Sequence, residues 1–223
     1  MATIREIAKM AGVSTTTVSY VLNGTKRLSP ETTKRVKDAI EKLNYSPNTV
    51  AQNLRKGKTS TIGIITEDIR FFPTPDIING LGEGLEKVNY QMLVHDLHLY
   101  EKIWPDYEKI INYKKRINKG VQLLQQSMVS GIIYVCMHDR KLGKLIDPLD
   151  IPIVYAYSYS SEDESFVTYD DFVSGKEMTK HLIDLGHKDI GVICGFPHSY
   201  PTKTRLKGIR TAMGEEGLKL PQE

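Results

Sequence analysis

Hydroxyl side chains cluster near the amino terminus, in Ser14-Thr15-Thr16-Thr17 and at Tyr20. Three consecutive β-branched threonines are a poor choice for helix stability alone. Hydroxyl groups can bond phosphate oxygens, and hydroxyl and methyl groups can both contact base edges. A plain surface role would leave this choice of residues unexplained. We therefore interpret them as a surface for nucleic acid.

Two short helices are needed to position these side chains. Apolar residues repeat at helical spacing on both sides of Gly12, from Ile4 to Ala11 and from Val18 to Leu22. Gly12 can adopt the left-handed conformation that ends the first helix, and Ser14 is a suitable N-cap for the second. A helix, a glycine-containing turn and a second helix are typical of a DNA-reading helix-turn-helix.

A third helix and an uneven charge distribution accompany this motif. Ser29-Pro30-Glu31 predicts a helix start, and an apolar stripe from Val36 to Leu43 closes a three-helix core. Between Met1 and Lys58, eleven Lys and Arg stand against four Asp and Glu, although the whole chain carries only +3. A basic head on a mildly acidic body is typical of a nucleic-acid binder. Four cations are phosphate candidates, each with a solvated surface residue as an equal alternative: Lys26, Arg27, Lys34 and Arg35.

These segments resemble the LacI/GalR family of bacterial transcriptional regulators, in its purine-repressor branch. The resemblance is carried by MATIREIAKMAGVSTTTVSYVLNG and by LSPETTKRVKDAIEKLNYSPNTVAQNLRKGKTSTIGII, and it extends over nearly all of the chain. It implies a repressor that binds a pseudo-palindromic operator in double-stranded DNA as a homodimer. We expect one set of residues to contact DNA: Thr3, Ser14, Thr15, Thr16, Thr17, Ser19, Tyr20, Asn23, Lys26, Ala51, Leu54 and Arg55.

The segment Asn48–Lys56 corresponds to the hinge helix of the resembled family. Alone, so short a helix would be mostly unfolded. In the resembled family it becomes ordered on operator binding and pairs with the same helix of the other subunit. Leu54 matches the leucine that wedges into the minor groove, and Ala51 matches the small residue that permits close approach. The alternative is a flexible linker with an incidental leucine.

From Thr61 onward, strand patterns alternate with helix patterns, which predicts parallel βαβ units with helices on both faces of a sheet. The expected strands are Thr61–Thr66, Gln91–Asp96, Gly131–Val135, Ile151–Tyr155 and Ile190–Cys194, and the expected helices are Ile77–Val88, Tyr107–Met128 and Phe172–Leu185. This pattern is consistent with the periplasmic-binding-protein-like α/β effector domain of the family. The predicted domains are a helix-turn-helix head (1–46), hinge and linker (47–58), an effector lobe (59–167) and an incomplete second lobe (168–223).

The resemblance also implies a small-molecule effector, either sugar-like or nucleobase-like, whose binding biases a two-state lobe closure. The segment Thr204–Gly208 resembles a family motif whose arginine contacts the effector, so Arg205 is the leading pocket residue. Phe71 and Phe72 follow the first strand, where relatives often place aromatic residues against the ligand. Alternatively, these two phenylalanines cap the core.

Other functional classes find little support in the residues. We find no catalytic constellation, phosphate loop or metal motif, so we expect no enzyme and no cofactor. The chain has no apolar run for a membrane span and no signal peptide, and we expect Cys136 and Cys194 to be reduced core residues of a cytoplasmic protein. Because the second lobe is incomplete, we expect a fragment or a shortened gene product. A non-functional remnant and a solute-binding module without DNA function stay open as alternatives.

Overall fold

The computed structural model describes residues 2–45, 59–159, 163–197 and 199–220, and the chain divides into two units, Met1–Gly57 and Lys58–Glu223. The predicted hinge helix, with Ala51, Leu54 and Arg55, lies outside the described residues. No helix in the described ranges is long and apolar enough to cross a membrane.

In the first unit, local sequence sets the ends of three short helices: α1 (Ile4–Ala11), α2 (Thr15–Asn23) and α3 (Pro30–Lys42). Each helix begins after a hydroxyl residue that accepts a hydrogen bond from a first-turn N–H: Thr3, Ser14 and Ser29. Left-handed Gly12 (φ +64°) and Gly24 (φ +62°) follow α1 and α2. The predicted helix-turn-helix is therefore confirmed.

A small apolar core holds the three helices together. Ile7, Val18 and Val36 are fully buried, one from each helix. Ala8 and Ala11 are also buried, and their small side chains allow the helices to cross closely. A core of this size gives little stability, so we expect the unit to be only marginally stable on its own.

The second unit contains, within its described residues, a five-stranded parallel sheet in the order β2-β1-β3-β4-β5. The strands are β1 (Thr61–Thr66), β2 (Gln91–Asp96), β3 (Gly131–Val135), β4 (Ile153–Ala156) and β5 (Ser165–Val167). The chain passes from β1 to β2 on one side and then returns to β3 on the other. The carboxyl ends of β1 and β3 thus form a topological switch point, where open α/β sheets bind ligands.

The helices α4 (Thr74–Lys87), α5 (Tyr100–Ile103) and α6 (Lys114–Gln126) lie between strands along the chain, whereas α7 (Asp171–Asp184) and α8 (Tyr200–Glu215) follow β5 and pack on each other. The α6 helix packs on the sheet through Ile117, Val121 and Leu124, which are buried at helical spacing. Gly120 on the same face permits a close approach, because a Cβ there would lie 2.7 Å from the ring of His95. The predicted alternation of strands and helices is confirmed for this part of the chain.

One predicted α-helix is wrong in about its first third. The segment Tyr107–Met128 is not continuous, because Tyr107–Tyr113 forms a 3-10 helix before α6 begins at Lys114. A 3-10 helix has three residues per turn, so side chains three apart lie on one side. Tyr107 and Ile110 are both buried at this spacing, which suits the tighter winding.

One predicted strand is also wrong. Residues 190–194 form no strand, and Ile193 is fully exposed. A parallel strand needs a neighbour for its backbone groups, and the described residues after 168 contain no other strand with which it could pair. Cys194 is consequently exposed rather than in the core, whereas Cys136 is buried as expected.

Candidate nucleic-acid interface and effector cavity

The outward face of α2 carries most of the residues predicted to read bases. Thr15, Thr16 and Asn23 are exposed, and Ser19 and Tyr20 are partly exposed between them. Their spacing places all five on one side of the helix. The sequence of α2 has no Lys, Arg, Asp or Glu, so this face presents hydroxyl, methyl, amide and aromatic groups.

Some of the predicted DNA contacts also hold the helix ends. The Ser14 hydroxyl accepts a hydrogen bond from the Thr17 N–H at 3.1 Å and lies 2.9 Å from the Thr17 hydroxyl. The Thr3 N–H donates to the Glu6 carboxylate at 2.7 Å, and the Thr3 hydroxyl donates to it at 2.9 Å. These bonds lower the pKa of Glu6 and keep it ionised at the start of α1.

The remaining polar groups on α2 differ in their availability. Asn23 donates to the backbone carbonyl and the hydroxyl of Ser19, at 2.9 and 3.1 Å. The Thr15 and Thr16 hydroxyls, in contrast, form no hydrogen bond with any described residue. A partner can therefore engage these two hydroxyls without disturbing an existing bond.

Exposed cations lie on the turn that follows α2 and on α3. The Lys26 ammonium, on the turn after α2, lies 5.7 Å from the centre of the Tyr20 ring, within the range of a cation–π contact. The guanidinium of Arg35 in α3 lies near the other turn, the one between α1 and α2, since a Cβ on Gly12 would be 3.9 Å from it. Lys34 is exposed beside Arg35. The arrangement combines a neutral helix face with positively charged flanks.

A separate cavity of about 470 Å³ lies in the second unit, beside the segment that follows β3. Its walls are residues 105–108, residues 138–140, Phe196, Ser199 and Tyr200. The rings of Tyr107 and His138 are 4.3 Å apart. Burial raises the pKa of Tyr107 to about 12, and burial together with nearby Arg140 lowers the pKa of His138. Both rings are therefore uncharged at neutral pH.

The three predicted effector residues lie outside the walls of this cavity. Phe71 packs behind the wall, with its ring 6.2 Å from Tyr107 and 6.3 Å from His138, whereas Phe72 is 78% exposed. The Arg205 Nε donates to the buried carboxylate of Asp171 at 2.6 Å. Within the described residues the other Arg205 nitrogens form no hydrogen bond, and half of the side chain is exposed.

A buried charged network supports one wall of the cavity. Glu67, which follows β1, is fully buried and accepts hydrogen bonds from Tyr134, Cys136, the Met137 N–H and Arg140, the last at 2.5 Å. Burial raises the pKa of the Cys136 thiol well above its usual value, so the thiol stays protonated and inert. Burial disfavours the charge of Arg140, but the adjacent Glu67 outweighs it and raises the Arg140 pKa.

Sequence reasoning missed this network and most of the cavity walls. The available signal was the position of charged residues immediately after predicted parallel strands, namely Glu67 after β1 and His138 to Arg140 after β3. The carboxyl ends of adjacent parallel strands meet at one edge of a sheet, so such residues converge.

Comparisons with known proteins agree with both units. Residues 3–48 match the family described as "Bacterial regulatory proteins, lacI family", and residues 109–223 match "Periplasmic binding proteins and sugar binding domain of LacI family". The second match covers more than half of the chain.

Individual relatives extend this similarity over nearly the whole chain. An HTH-type transcriptional repressor PurR from Pasteurella multocida is 34% identical over 223 residues, and one from Actinobacillus pleuropneumoniae is 35% identical over 227. They align with 99% and 100% of this chain, which spans 63% of the length of each relative.

A solved structure supports the fold. The lac repressor dimer bound to operator and the anti-inducer ONPF superposes with a TM-score of 0.75 and 21% identity, over 98% of this chain and 63% of that one. The helix-turn-helix, the parallel α/β unit and the two family matches together establish that this chain belongs to the LacI family of bacterial regulatory proteins.

Proposed function

We propose that the protein is a transcriptional repressor that binds operator DNA in the cytoplasm and has no catalytic role. The observation that carries the proposal is the face of α2. Its unbonded Thr15 and Thr16 hydroxyls and its Tyr20 ring suit base edges, while the flanking cations suit phosphates. Relatives 34% and 35% identical are named as transcriptional repressors, which supports the same role.

The test begins with selection of binding sites from a randomised pool of DNA duplexes. Fluorescence anisotropy would then compare the chain and its variants on a selected and a scrambled duplex. We expect Thr16→Ala and Tyr20→Ala to cost about 1–3 kcal/mol on the selected duplex and little on the scrambled one. The matched variants Lys34→Ala and Arg35→Ala would weaken binding to both duplexes alike. They would also make the affinity depend less steeply on salt concentration. Failure to enrich any sequence would overturn the proposal.

We propose further that two copies act together on a pseudo-palindromic site. Half-site symmetry in DNA mirrors the two-fold symmetry of a dimer. Gly80 and Gly84 of α4 adjoin open space, because a Cβ on either would meet nothing within 4 Å among the described residues. This surface leaves room for a second copy. A selected site without an inverted repeat would contradict the dimeric mode.

The cavity beside β3 would bind the effector, and Arg205 would reach it through lobe closure. The cavity volume suits a small molecule. The uncharged rings of Tyr107 and His138 suit the flat face of a nucleobase or a sugar ring, and the charged groups of the wall can bond its polar edge. Thermal unfolding in the presence of guanine, hypoxanthine, ribose and cellobiose would test this. We expect one of them to raise the melting temperature of the chain and of Phe72→Ala, but not of Tyr107→Ala. An equal response of all three proteins would contradict the assignment.

A further inference from the structure

We propose that an open groove on the second unit is a docking surface for an acidic, partly apolar peptide segment of another protein. The groove encloses about 1150 Å³ and runs between α6 and residues 147–149. Its walls share no residue with the effector cavity, and the groove lies in a different unit from α2. The inference therefore goes beyond DNA and effector binding.

Three lysines line this groove: Lys114, Lys115 and Lys119. The unit as a whole is mildly acidic, since residues 59–223 have 19 Lys and Arg against 23 Asp and Glu. Lys115 and Lys119 line the groove, are exposed, and form no ion pair with any described residue. The groove thus offers uncompensated cations to an anionic partner.

The wall opposite α6 is held in place by specific bonds. The Lys114 ammonium donates to the Lys144 carbonyl at 2.9 Å and pairs with Asp147 at 2.9 Å. The Asn118 amide donates to the Leu145 carbonyl and accepts the Asp147 N–H, at 3.0 and 2.9 Å. Asp147 is the one acid along the groove, and Lys114 offsets its charge. The groove therefore keeps both its shape and its net positive charge.

Part of the groove lining is apolar, and this decides between two kinds of partner. Ile111 is 56% exposed there, beside Pro148 and Leu149. Gln122 and Gln125 add amide groups that can bond a peptide backbone. A sugar–phosphate backbone would pair with the lysines and leave the apolar part of the lining in water. A peptide with alternating acidic and apolar residues matches both features, so we assign the groove to a protein partner.

The probe is a short fluorescein-labelled peptide in which Glu alternates with Leu and Phe, measured by anisotropy on the full chain. We expect it to bind, and we expect Lys115→Glu/Lys119→Glu to lower its affinity by about tenfold or more, because like charges would then face each other. The matched control is Lys180→Glu/Lys188→Glu, which makes the same change in net charge at exposed positions elsewhere on the unit. We expect this control to change affinity less than about twofold.

Two further probes separate the alternatives. One is the same peptide with Ser in place of Leu and Phe, and the other is a single-stranded oligonucleotide. The proposal is overturned if both charge reversals weaken the mixed peptide equally. It is also overturned if the groove variant lowers the affinity for the Ser peptide or for the oligonucleotide by the same factor as the affinity for the mixed peptide. Selection of duplex sites would be unaffected by the groove variant, so this test stands apart from that of DNA binding.

Discussion

The two units of the molecule differ in the sequence distance over which their stabilising contacts form. In the first unit, Ser14 caps α2 through Thr17, three residues away. In the second, Glu67 is paired with Arg140, which is 73 residues away. The exposed face of α2 comes from one continuous segment, whereas three separate segments build the cavity beside β3. Short segments can therefore specify the first surface, while the second depends on the complete sheet.

Glu67→Ala tests the long-range contacts of the second unit, and it should have the largest effect on stability. Removing one partner of a buried ion pair leaves the Arg140 charge uncompensated, so we expect the second unit to lose about 3–5 kcal/mol of stability. Trp104 is the only tryptophan and lies in this unit, so its fluorescence during urea unfolding measures the loss. The exposed control Asp150→Ala should change stability by less than about 0.5 kcal/mol. If Glu67→Ala lowered amide protection in α1 to α3 as much as in the second unit, the idea that the two units are stabilised independently would be contradicted.

A smaller long-range effect is expected from Gly208→Ala. A Cβ at this position in α8 would meet the Phe172 carbonyl of α7 and would lie 2.9 Å from the Lys176 N–H. Separating the helices should cost about 1–3 kcal/mol, read from Trp104 fluorescence and from hydrogen exchange in α7 and α8. Gly214→Ala is the matched control on the same helix, because its Cβ would meet nothing within 4 Å and should stabilise α8 slightly.

A local change should affect only the first unit. Ser14→Ala removes the N-cap of α2, so we expect a loss of about 1 kcal/mol in that unit, detected as faster hydrogen exchange in α2. Thr15→Ala is its neighbour and control, since the Thr15 hydroxyl bonds no described residue. Its loss removes no cap and should not make exchange in α2 faster. A shift in the Trp104 transition with Ser14→Ala would show that the units are coupled after all.

The smallest predicted effect depends on pH and concerns His138. Burial and Arg140 lower its folded pKa below the usual 6.5, so the unfolded chain binds the proton more readily. The stability of the second unit should therefore fall as pH drops below 6.5, and His138→Gln should reduce that fall. Urea midpoints from about pH 8 to about pH 5 would measure it. The exposed His187→Gln control should keep the wild-type profile.

These differences also explain how much the sequence could predict. Gly12, Ser14 and Ser29 act on their immediate neighbours, and the helices that they predict are present. The strand β1 was predicted from a short apolar run, and it is present. Residues 190–194 are a similar short apolar run, but they form no strand, because the described residues offer no neighbouring strand for them to pair with.

The site residues follow the same division. The exposed positions on α2 could be predicted from helical spacing, although which hydroxyls are already bonded could not. The cavity walls at Tyr107 and His138 come together only when β2 and β3 flank β1 in the sheet. Arg205 was predicted from resemblance alone, and its bond to Asp171 required the packing of α7 against α8.

The absence of Lys, Arg, Asp and Glu from α2 has a consequence for how such a regulator can diverge. Contacts with the phosphates would come from side chains on the turn after α2 and on α3. Substitutions at Thr15, Thr16 or Tyr20 would therefore leave the sequence-independent part of the affinity unchanged. A lineage could therefore acquire new target genes through two or three codon changes in α2, without first evolving a new means of staying attached to the chromosome.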